Sequence, residues 1–201
     1  MTTWMSRILT LVLTLLVAAG LGREAAACVG KTLTIGTTGG AQQTLLAEVV
    51  ALLITERTGT TVKVETFESF ERLHQAQLKA EVDITIGYTA QGQLEVLRGE
   101  PIADAAGLFE AVKARYNQEL NLVWLEPFGF DRGAQGETAI PDQAAPVVRK
   151  DTLRKFPALA RLISRLGGTI NEDTLARLEE QSQAQGARDV ARTFLRDNRL
   201  I

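Results

Sequence analysis

Asn121-Leu122-Val123-Trp124-Leu125-Glu126-Pro127-Phe128-Gly129-Phe130 opens as an apolar strand and leaves it through a proline-led turn. The chain then crosses Asp131 to Ala144 and enters Ala145-Pro146-Val147-Val148-Arg149-Lys150-Asp151. Three of the crossing residues are Gly or Pro and two are Gln, without periodicity, which predicts a surface loop or linker over 131–144. Whether the strands on either side belong to one sheet decides the fold.

Upstream, strand and helix alternate. Thr32-Leu33-Thr34-Ile35 is a β-branched run expected to stop at Gly36, and Thr61 to Thr66 and Val82 to Ile86 read as two more strands, the last ending at Gly87. Between them, residues 42–58 carry Leu45, Leu46, Val49, Val50, Leu53 and Ile54 at helical spacing, a stripe expected to bury against a sheet, with Gly59 as the stop. Ser69 to Ala80 forms a second helix, and Leu108, Phe109, Val112 and Tyr116 share one face of a third over Ala106 to Glu119. Strands joined by helices imply a parallel sheet. Downstream, Pro146 to Arg149 is a short strand, and Asp151 is expected to cap one helix running through Leu166 to Gly167-Gly168. Thr169-Ile170-Asn171-Glu172 fits a capping box, and a last amphipathic helix with Val190, Phe194 and Leu195 follows Gly186. The class is α/β with a helical C-terminal segment.

The 201 residues are 45% hydrophobic with a formal net charge of −2, which suits one globular domain. Basic residues are scattered, so no footprint for nucleic acid exists. Arg7, the apolar run Ile8 to Leu21 and then Ala25-Ala26-Ala27 follow signal-peptide order, predicting a cleaved leader over 1–27 and a domain over 28–201 outside the cytoplasmic membrane. Cys28 is the only cysteine and excludes an intrachain disulfide. It reads either as a free thiol near the mature start or as a lipidation site and lipid anchor.

Several segments, taken in order, carry a resemblance. Leu33-Thr34-Ile35-Gly36 with Gln43 and Glu48, Val82-Asp83-Ile84 with Tyr88-Thr89, and Tyr116-Asn117 with Leu122 to Phe130 precede the crossing. Ala145 to Asp151, Gly168-Thr169-Ile170 and Val190 to Leu195 follow it. Together they resemble the glycine betaine/carnitine/choline-binding proteins of osmoprotectant ABC importers, in the type II periplasmic solute-binding superfamily. The resemblance implies a single periplasmic-binding-protein-like lobe with a mostly parallel sheet flanked by helices. Family members have two such lobes, and the chain leaves and re-enters the first where 131–144 stands here. The second lobe is therefore expected to be absent.

The resemblance also implies a ligand site. Tyr88 and Thr89 match a Tyr-Thr pair on the cleft side of the lobe, and Gln43 matches a glutamine just inside the first helix. Thr37 and Thr38 join them, because the loop Gly36-Thr37-Thr38-Gly39-Gly40 opens that helix and offers amides to a carboxylate. Thr38, Gly40, Gly87 and Ala90 depart from the family's usual residues. A quaternary ammonium donates no hydrogen bond, so rings must hold it by cation–π attraction, each contributing about 0.5–2 kcal/mol. Tyr88 is read either as such a ring or as an ordinary tyrosine at a strand end, whereas Tyr116 and Trp124 read as core.

Catalytic readings find little support. His74 is the lone histidine, Ser69, Ser164 and Ser182 lack nucleophile context, and Glu172-Asp173 and Glu179-Glu180 lie on solvated helical faces. No enzyme, cofactor or metal is expected. Two functions remain: the substrate-binding component of a glycine betaine/choline/osmoprotectant importer, with ABC permease subunits as partners and a homodimer completing the cleft, or an exported interaction module that has lost its ligand.

Overall fold

The computed structural model describes residues 32–133 and 140–201. The expected leader, Cys28 and the middle of the 131–144 crossing lie outside them. β1 (Leu33–Thr37), β2 (Val62–Thr66), β3 (Ile84–Tyr88), β4 (Leu122–Trp124) and β5 (Ala144–Arg149) form one sheet in the order β2-β1-β3-β5-β4. β1 runs parallel to β2 and β3, while β5 is antiparallel to both β3 and β4. The strands on either side of the crossing are thus neighbours, with Val123 opposite Val148 and Ile84 opposite Val148 on the other side.

Pro146 stands within β5, a central strand, where proline normally costs a ladder bond. Its carbonyl accepts from Leu125 N–H at 2.9 Å. N–H and C=O of one strand residue point the same way, so the missing donor faces the side where β4 has just ended at Trp124. The bond forfeited is the reciprocal one to Leu125 C=O, so the β4–β5 ladder stops at Trp124 opposite Val147.

α1 (Ala41–Thr58) is more deeply buried than its stripe foretold, since Ala47, Ala51 and Leu52 are buried along with the expected leucines, valines and isoleucine. A helix that is apolar all round needs cover on both faces. Here the sheet covers one and the C-terminal helices cover the other: α6 (Leu159–Ile163), α7 (Glu172–Gln185) and α8 (Ala187–Asp197). Each fully buried leucine or phenylalanine there contributes about 2 kcal/mol. Arg188 to Glu48 at 2.7 Å ties α8 to α1 at the surface.

The opposite face of the sheet carries α2 (Phe70–Leu78), α3 (Thr89–Gln91, continued by a π-turn over Gly92–Val96) and α4 (Ala105–Arg115, continued by Tyr116–Leu120). Trp124 and Tyr116 lie in this second core, ring centroids 5.4 Å apart and edge to face, as core readings required.

Four local expectations are corrected. Gly36 and Gly87 do not end their strands; β1 and β3 run on to Thr37 and Tyr88. A Cβ on Gly36 would lie 2.2 Å from Leu73 Cδ1, and one on Gly87 2.8 Å from the Trp124 ring, so these glycines admit close packing on the second face. Asp151 is not a helix cap: Arg149 holds the N-cap position of α5 (Lys150–Lys155), and Asp151 sits in its first turn. The single helix expected over 151–166 is broken between α5 and α6 at Phe156-Pro157, since proline cannot supply the next amide. Finally, α7 is capped by Asn171, which accepts from Thr174 N–H at 2.9 Å, while the Thr169 hydroxyl donates to Leu166 O instead.

Candidate functional site

The C-terminal ends of β1 and β3 bring Thr37, Thr38, Gln43, Tyr88 and Thr89 to one end of the sheet. Tyr88, the last residue of β3, turns onto the α1 face and is 2% exposed. Its hydroxyl donates to Gln42 Oε1 at 2.9 Å, and Gln42 in turn donates to Glu179 Oε1 on α7 at 3.0 Å. Burial pushes this hydroxyl up to about 12; the Arg132 charge opposes that rise, while the Asp142 and Glu179 charges add to it. Tyr88 is a neutral donor at physiological pH.

The outer face of the Tyr88 ring is covered from the crossing. The Arg132 guanidinium lies over it, Cζ 3.5 Å from the ring centroid. Arg132 Nε donates to Asp142 Oδ2 at 2.8 Å and Nη2 contacts the same oxygen. Asp142 is the buried partner, its side chain 4% exposed against 29% for Arg132, and its other oxygen accepts from Ala90 N–H at 2.9 Å. Asp131 pairs antiparallel with Gln143, and Asp131 Oδ1 accepts from Asp142 N–H at 2.8 Å. The described ends of the crossing, 131–133 and 140–144, thus close as a short clasp across the end of β3.

The remaining candidates are tied into this frame. Thr89 N–H donates to Gln143 O at 3.0 Å, and its hydroxyl donates to Pro141 O and accepts from Gln143 N–H, so the amide and the hydroxyl of Thr89 both hold the clasp. Thr37 is 1% exposed, and its hydroxyl accepts from Gly39 N–H at 3.2 Å. Thr38 donates to Gln43 Oε1 from its amide at 3.0 Å and from its hydroxyl at 2.6 Å, folding Gln43 back over the β1–α1 loop. Gly40 offers no side-chain cap to α1, whose first turn therefore presents backbone amides beside Tyr88. Chemically, the arrangement holds a flat, delocalised cation between an aromatic face and a buried carboxylate.

Other rings do not extend it. Tyr116 and Trp124 lie across the sheet around a cavity of about 20 Å³ that Phe70, His74, Gln77 and the end of β3, Tyr88 included, also line. That volume suits a single water and not a trimethylammonium group. Among the described residues no cluster of His, Cys, Asp or Glu is placed to hold a metal ion, and no helix is long and apolar enough to cross a membrane.

The family model described as the substrate binding domain of ABC-type glycine betaine transport system matches residues 31–135 and 131–197, two pieces that meet at the clasp. The chain belongs to this family. Its role is solute binding, and its one described sheet is a single lobe of the family's architecture. No curated protein sequence matches. Among solved structures, the fold is shared with a glycine betaine/carnitine/choline ABC transporter protein at 13% identity and TM-score 0.77, covering 85% of this chain and 98% of that one. It is shared too with apo YehZ from Escherichia coli at 15% identity and TM-score 0.72, covering 85% and 100%. Lactococcal OpuAC, closed on glycine betaine, aligns at 8% identity and TM-score 0.51, covering 84% and 96%.

Arg132, Asp142, Gln42 and Glu179 were not legible as site residues. Arg132 and Asp142 flank a Gly/Gln-rich stretch, where charges read as solvated, and Gln42 and Glu179 sit on helices 137 positions apart. The one available signal was the placement of an arginine and an aspartate at opposite ends of the 131–144 crossing, which a clasp brings together.

Proposed function

We propose that this chain is the exported solute-binding component of an ABC-type importer for a quaternary-ammonium osmolyte of the glycine betaine or choline class, working with permease subunits. The observation that carries the reading is the Tyr88 ring, which stands at the cleft end of β3 in a chain of this family and already has a cation stacked on it at 3.5 Å. Tyr88 would take the ammonium head, and the β1–α1 loop from Thr37 to Gly40, with Gln43 behind it, would face a carboxylate where the solute has one. Thr89 acts by holding the clasp rather than by touching solute. The 131–144 crossing stands where the second lobe of the family would be inserted.

A homodimer completing the cleft is motivated by the cleft face that the absence of a second lobe would leave exposed. Among the described residues the exposed large hydrophobic is Leu78, on α2; a strict monomer in sedimentation at high concentration would count against the dimer. One ring in an open site predicts weak binding, with Kd on the order of millimolar. Calorimetric titration with glycine betaine, choline, carnitine and proline betaine tests it: at least one should give saturable heat that Tyr88→Ala removes. Absence of heat from all four would leave the interaction-module reading in its place.

A further inference from the structure

We infer that Arg132 is a tethered cation that competes with solute for the Tyr88 face, so that solute enters by exchange with it; the inference rests on the solute-binding reading above. The guanidinium lies well inside the roughly 6 Å reach of cation–π attraction and covers the face that a trimethylammonium head would use. Its counter-ion is the fixed member of the pair. Asp142 is 4% exposed and is held independently by Ala90 N–H and by its own backbone bond to Asp131, whereas Arg132 is 29% exposed and reaches in from the clasp.

The asymmetry dictates how the site opens. Moving Arg132 away leaves the Asp142 carboxylate with water and the Ala90 amide in place of a counter-charge, a less favourable state that another arriving positive charge relieves. A solute with a cationic head supplies that charge and the ring contact together. A neutral solute of the same shape supplies neither. The exchange therefore selects for charge as well as for shape, and it weakens apparent affinity by the fraction of molecules in which Arg132 has left the ring.

The test combines nuclear magnetic resonance on the wild-type protein with calorimetry on variants. The ring current of Tyr88 shifts the Arg132 Nε–Hε signal, and titration with choline should return it to its solvent position in step with binding. The neutral isostere 3,3-dimethylbutanol should leave it unmoved. Arg132→Ala, or Arg132→Gln where the alanine variant does not fold, should bind choline at least about tenfold tighter than wild type, as a competent fraction of about a tenth implies. Methylguanidinium should compete with choline in that variant. Choline saturating the wild type while Arg132 stays on the ring, or a folded variant binding choline no tighter, would overturn the inference and leave the solute reading standing. Should choline bind neither protein, the solute reading fails by itself. Tyr88-dependent binding of methylguanidinium to the variant then supports the tethered-cation place, and its absence overturns that too.

Discussion

Each end of the sheet holds an arginine on aspartate, and the two pairs are buried in opposite senses. At the end remote from Tyr88, Arg149 is the more buried member, its side chain 13% exposed, lying between Asp83 at 22% and Asp151 at 29%. Asp83 also accepts from Thr34 N–H at 3.0 Å and from the Thr152 hydroxyl at 2.7 Å, tying β1, β5 and α5 to the approach of β3. At the Tyr88 end the aspartate is buried and the arginine reaches in from outside. An inner arginine whose aspartate partner ties four segments together is a staple; an outer arginine on a buried carboxylate and a ring is a replaceable cover. The difference between structure and recognition here lies in which partner water reaches.

The comparison is most directly broken at Asp83. Asp83→Ala takes one of two carboxylates from Arg149, which keeps Asp151, and leaves the Thr34 N–H and the Thr152 hydroxyl without their acceptor, and should lower unfolding free energy by about 3 kcal/mol in urea titration. A loss below 1 kcal/mol would remove the distinction. Arg149→Ala should cost about 2 kcal/mol in the same assay, because two carboxylates at the same end lose their counter-charge.

Alkaline titration sharpens the other end. Burial raises the Tyr88 hydroxyl to about 12 and pushes Tyr116 upward as well. With folded values above the unfolded value near 10, the neutral hydroxyls contribute fully below pH 10, and that contribution is lost as pH rises through 12. Stability should fall by about 2 kcal/mol across that window on account of Tyr88, and Tyr88→Phe should flatten part of the fall relative to wild type. Identical alkaline profiles would place Tyr88 in water. Smallest of all, Arg132→Ala should change stability by about 1 kcal/mol or less, since removing the cover lets water reach Asp142. A Tm drop matching that of Arg149→Ala would make both ends staples.

Much of the lobe was legible because apolar periodicity and turn residues are local. The strand at Leu122 to Trp124, the stripe of α1 and the Gly186 break before α8 each follow from neighbours within a few positions. Misreadings arose where a distant packing partner overruled the local signal. Gly36 and Gly87 read as strand ends because glycine usually punctuates, yet Leu73 and Trp124 pack onto them. Tyr88 was visible as a candidate because it follows a strand, but its two polar neighbours and its cation come from α1, α7 and the clasp.

By itself the sequence determined the α/β class, the alternation of elements and the family, since these rest on patterns repeated along the chain. Tertiary structure alone decided that β5 enters between β3 and β4 antiparallel to both, and that the crossing closes with Arg132 on Tyr88. Those outcomes depend on which buried charge finds a partner and which ring finds a face. Both are contacts between segments far apart in the chain, which no local pattern encodes.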